Sequence, residues 1–177
     1  SQTYTLKVVD LPKVEKIDLT YNFPAYTGME PQAVENQGDI SAIKGTRVDL
    51  KIHLNRPARA ARLFFDNQSA LELSPAGSQD FTGRLALERS GSYVVQVTND
   101  ERKQYAASSE YEIEAIEDLP PKVSISKPMR DVRATSVEEV FSEIKADDDI
   151  GVGGVELRYS VNGAPEKSVT LYQGKPA

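Results

Sequence analysis

Apolar and polar residues alternate with a period of two in short runs along this chain, and turn-forming residues separate the runs. Between positions 48 and 54 the apolar Val48, Leu50, Ile52 and Leu54 alternate with Asp49, Lys51 and His53. Side chains on a strand point to opposite faces in turn, so this run places one face in a core and the other in water. The same reading predicts strands over residues 61–65, 81–87, 93–98 and 110–116, punctuated by Asn55-Arg-Pro, Ser74-Pro, Ser90-Gly and Asn99-Asp. Helical periodicity is nearly absent. The spacing predicts an all-β fold, a β-sandwich with Greek-key connections of the immunoglobulin-like kind. Tyr93, just before Val95 and Val97, resembles the tyrosine that opens strand F in such sandwiches and ties down the preceding corner, so a structural role is expected for it.

A repeat changes the domain count. YTLKVVDLPKV at residues 4–14 returns as YEIEAIEDLPPKV at residues 111–123, which sets Val14 on Val123. A fainter echo aligns VDLKIHLNRPARAARLFFDN from Val48 with VFSEIKADDDIGVGGVELRYSVNG from Val140, so that Ile52 falls on Ile144 and Leu63 on Leu157. Three segments follow. Residues 1–12 read as the last strand of a preceding module or a linker, 13–118 as a complete sandwich, and 121–177 as the first half of a second one. Half a sandwich leaves its inner face bare, so the N-terminal strand or a neighbouring molecule is expected to complete it, if need be by strand exchange between molecules. The stretch from Val14 to Val48 is also twice as long as its counterpart, which predicts an insertion within residues 25–38.

Composition narrows the function classes. With 21 Lys+Arg against 27 Asp+Glu the net charge is -6, and no basic run with interleaved aromatics exists to follow a phosphate backbone. Nucleic acid is therefore not expected as a partner. The absence of cysteine excludes disulfides and thiolate chemistry. No apolar run is long enough for a transmembrane helix, so direct membrane insertion by this segment is not expected.

Candidate chemistry is sparse. His53 is the only histidine, on the predicted wet face of a strand and without a Gly-x-Ser-x-Gly elbow, so no triad and no enzyme is predicted. Asp147, Asp148 and Asp149 crowd three carboxylates into one turn, where the sister module has Asn55-Arg-Pro. They are solvated at a loop tip or neutralised by a cation, and calcium, a hard ion that takes carboxylate oxygens, is the one candidate cofactor. Tyr21, Phe23 and Tyr26 cluster around Pro24, followed by Met29 and Glu30 in the insertion. They are candidate contact residues for a protein partner or for a sugar ring, with packing of an edge strand as the competing role for Tyr21 and Phe23.

FPAYTGMEP with the following GDISAIKGTRV, then RDVRATSVEEVF at residues 130–141 and ADDDIGVGGVELRYSVNGAPEKSV at residues 146–169, resemble a family of large bacterial envelope proteins of unknown function. These look membrane-anchored, with tandem immunoglobulin-like modules and long helical regions. The resemblance implies an extracytoplasmic location, in the periplasm or at the cell surface, and offers no catalytic residues. The expected function is a non-catalytic spacer or protein-interaction module that meets a protein partner or neighbouring modules of its own chain. A carbohydrate-binding module and a calcium-stiffened, cadherin-like adhesion module are the alternatives.

Overall fold

A computed structural model of the chain describes residues 11–99, 102–130, 133–135, 137–161 and 163–174. The strand or linker expected over residues 1–12 falls almost wholly outside them. The described fold is all-β, and its one helical element is a 3-10 turn at Ala25–Thr27. The chain divides into two compact units. The first takes in Ser1–Phe23 and Glu30–Ile116, the second Pro24–Met29 and Glu117–Ala177.

The first unit holds two five-stranded sheets. One is ordered β2 (Gln32–Val34), β1 (Val14–Asn22), β4 (Arg47–Leu54), β8 (Asp80–Ala86), β7 (Ser74–Pro75). The other is ordered β3 (Ile40–Ile43), β10 (Gln104–Ile116), β9 (Gly91–Thr98), β5 (Ala60–Phe65), β6 (Ala70–Glu72). Neighbouring strands are antiparallel except β3, which runs parallel to β10. Pro75 sits on an edge strand, where a missing N–H breaks no ladder.

Alternation explains the sandwich-like core. On β4, Val48, Leu50, Ile52 and Leu54 are all buried, and across the ladder Tyr21, Leu19 and Ile17 face Val48, Leu50 and Ile52. Leu63, Val95 and Val97 of the second sheet join the same cluster. Each such side chain contributes about 1.5–3 kcal/mol when fully removed from water. The outward faces carry polar ladders instead. Arg84 Nε donates to Asp49 Oδ1 at 2.6 Å, and Asn22 Nδ2 donates to the other oxygen of Asp49 at 2.9 Å.

Tyr93 is buried in this core, but its hydroxyl does not hold the preceding corner. It donates to the carbonyl of Gly38 at 2.5 Å, in the connection between β2 and β3. Gly38 is required for close approach: a Cβ there would run into the ring of Tyr111, which itself packs on Tyr93 with ring centroids 5.4 Å apart.

The second unit holds two two-stranded antiparallel sheets, β11 (Lys122–Lys127) with β12 (Glu143–Asp147), and β13 (Gly154–Tyr159) with β14 (Lys167–Gln173). Their apolar residues alternate as in the first unit but stay in contact with water. Val123 is 62 % and Ile125 59 % exposed, whereas Ile17 in the first unit is 2 % exposed.

Candidate functional site

The insertion folds into a tied turn and a short edge strand. Pro24 leads into the 3-10 turn, the Thr27 hydroxyl donates to the Pro24 carbonyl at 2.8 Å and accepts from the Met29 N–H at 3.2 Å, and Gly28 closes the turn at φ 66. A left-handed conformation suits glycine because it has no Cβ to clash. The turn presents Tyr26, which is 56 % exposed. Met29 and Glu30 are exposed beside it in sequence. Tyr21, by contrast, is buried in the core of the first unit, and Phe23 is half-buried with its ring stacked on Tyr21, centroids 6.2 Å apart. Burial withdraws Tyr21 from any contact surface and leaves Tyr26 as the accessible ring of the cluster. In the second unit Tyr26 loses part of its hydration, with the carboxylates of Asp118 and Asp149 nearby. Together these push the phenol above its ordinary range.

The aspartate run occupies the turn between β12 and β13, and its three carboxylates do different things. Asp147 ends β12 and pairs with Lys145 at 3.3 Å. Asp148 Oδ2 accepts the N–H of Gly151 at 2.9 Å, a turn-closing bond. Asp149 adds its charge beside Tyr26. Among the described residues no three acids gather into a group that could hold a metal ion.

His53 lies in the first unit between two carboxylates. Its Nδ1 is 2.8 Å from Asp80 Oδ1, and its Nε2 is 3.8 Å from Glu15 Oε2. An imidazole bracketed by acids has no nucleophile to activate in this contact, so the arrangement is a cross-strand polar pair.

Sequence reasoning missed a groove in the second unit. It has a volume of 530 Å³ and is lined by Pro121, Val123 and Val155 together with Gly151, Gly153 and Gly154. Tyr26 stands at it, together with three carboxylates, Asp118, Asp148 and Glu156. The glycine-rich tail of KADDDIGVGG was the available signal, because side-chain-free backbone leaves room beside it.

Ile144 and Leu157, the counterparts of Ile52 and Leu63, are only half-buried in the second unit, and every residue of β14 is exposed, including Val169 and Leu171. Phe141 is 74 % exposed, with Lys127 Nζ 5.8 Å from its ring centroid. Among the described residues no helix is long and apolar enough to cross a membrane. Compared with known proteins, the chain matches no family model, no curated protein and no solved structure.

Proposed function

We propose that the chain is a non-catalytic interaction segment of a larger extracytoplasmic bacterial envelope protein, built from tandem immunoglobulin-like modules of which the second is completed by strands from a partner or a neighbouring module. One observation carries the reading: the strand pair that buries Ile17 and Ile52 in the first unit has a counterpart in the second in which Val123 and Ile125 are exposed and Ile144 is half-buried. Val14 opposes Leu54 and Ile17 opposes Ile52, while Val123 opposes Ala146 and Ile125 opposes Ile144. The pairing of Val123 with Ala146 is the one the sequence echoes require and supports a repeat, while at Ile125 the ladder runs one residue off the echo, which sets Ile17 on Ser126. The parallel β3 at the edge of a five-stranded sheet supports the immunoglobulin-like assignment.

The first unit indicates what is missing from the second. There β8 pairs with β4 and β9 pairs with β5, whereas β12 and β13 each have one described neighbour. An open strand edge beside an apolar face is a template for strand addition. The test is a comparison of baits. The wild-type chain and the variant Ile144→Asp with Leu157→Asp are incubated with bacterial envelope extract, and the proteins retained are compared by mass spectrometry. Loss of specific retention in the variant is the expected result; equal retention would sink the reading.

A further inference from the structure

The groove of the second unit has apolar walls, an acidic lining and no Lys, Arg or His among the residues that line it. One Asp148 oxygen is engaged by the Gly151 N–H, and Glu156 lies 3.6 Å from Arg158 Nη2, a residue outside the lining. Asp118 lines the groove with Tyr26. Each carboxylate keeps acceptor capacity beyond these contacts, because an ionised carboxylate offers about four lone-pair sites. The sign of the groove is therefore negative, and an acidic or phosphorylated segment would meet like charge.

Its shape adds a second constraint. The glycines that line it, Gly151, Gly153 and Gly154, carry no side chains, so a partner backbone can come close to theirs. The exposed ring of Tyr26 offers a face to a cation, and the apolar walls suit the methylene stem of a long basic side chain or its aliphatic neighbours. We infer that this groove receives an extended peptide segment bearing an arginine or lysine between aliphatic residues. The inference rests on the interaction-module reading and names the chemistry of one partner segment.

The test uses the 177-residue chain and a blocked synthetic pentapeptide, valine-arginine-valine-proline-leucine, with control peptides carrying glutamate or norleucine in place of arginine. Binding is followed by NMR through the amide signals of Gly151, Gly153 and Gly154. The arginine peptide should shift these signals with a Kd at least about tenfold below that of the glutamate peptide, as charge complementarity at a partly desolvated site requires. In the variant Asp118→Asn with Glu156→Gln, the arginine peptide should fall to within about twofold of the norleucine peptide. Tyr26→Leu should weaken arginine binding by about threefold, the share of a cation–π contact at a partly exposed site, while leaving norleucine binding unchanged. Spectra of the variants outside the groove serve as the check on folding. Equal binding of the arginine and glutamate peptides, or no glycine shifts at millimolar arginine peptide, would overturn the inference. Because Ile144 and Leu157 do not line the groove, failure of the bait comparison leaves this titration intact, and the reverse also holds.

Discussion

Tyr93 joins two distant parts of the first unit through one hydrogen bond, and its burial has a pH consequence. Burial pushes its phenol well above the ordinary value of 10.0, with Tyr111 and Asp39 adding to the effect. The folded state therefore keeps a proton that the unfolded state releases above about pH 10. Stability from this group is fully present below pH 10 and declines as the pH rises beyond it. Thermal melts between pH 8 and pH 11 should show a falling Tm, and Tyr93→Phe should flatten that fall. At pH 8 the same variant should lose about 1–2 kcal/mol, because the Gly38 carbonyl is left without its donor. Gly38→Ala should destabilise by about 1–3 kcal/mol in denaturant titrations, since the new methyl and the Tyr111 ring need the same space. The structural role of Tyr93 was legible in the sequence. Its acceptor was not, because a backbone carbonyl 55 residues away leaves no mark in a residue pattern.

At the level of elements, period-two alternation located β4, β5, β8 and β9 to within two residues at either end, because β4, β5 and β9 bury alternate side chains and β8 buries Phe81 at its start. It cut β10 short, at Glu110 instead of Gln104. The ladder slips between Ala106 and Glu110, where Ser108 turns its hydroxyl to accept from the Val95 N–H, and the alternation breaks with it. Strands β2, β3, β6 and β7 are two to four residues long, too short for a period to register. The candidate site was legible only in part: the turn of Asp147, Asp148 and Asp149 was placed between two strands, but the groove depends on residues far apart in sequence. The paired isoleucines offer a direct contrast. Ile52→Ala should cost about 2–5 kcal/mol by removing a buried side chain that opposes Ile17. Ile144→Ala, at the equivalent position, should cost less, about 1 kcal/mol, because its side chain is only half-buried. Chemical denaturation followed separately in each unit by NMR checks both values.

Across the whole molecule, the buried hydrophobic residues among those described all lie in the first unit. Local opening is easiest where few apolar contacts must break. Limited trypsin digestion should therefore cut first at Lys122, Lys145, Arg158 or Lys167, and leave a fragment that retains residues 14–116. Mass spectrometry identifies the cuts, and early cleavage at Lys51 or Arg62, in the central strands of the first unit, would contradict the expectation. The bulges in the β1–β4 and β11–β12 ladders carry a consequence for folding fidelity. A chain with two similar strand pairs can exchange them as it collapses, the characteristic error of repeat proteins. Here β1 carries its extra residue between Val14 and Lys16, at the start of its ladder, while β11 carries one between Ile125 and Lys127, near the end. If β1 took the place of β11, its bulge would fall at the wrong point, and a one-residue offset turns every following side chain to the opposite face. The displaced bulge works as a key cut differently for each lock, favouring each strand's own partner over its look-alike.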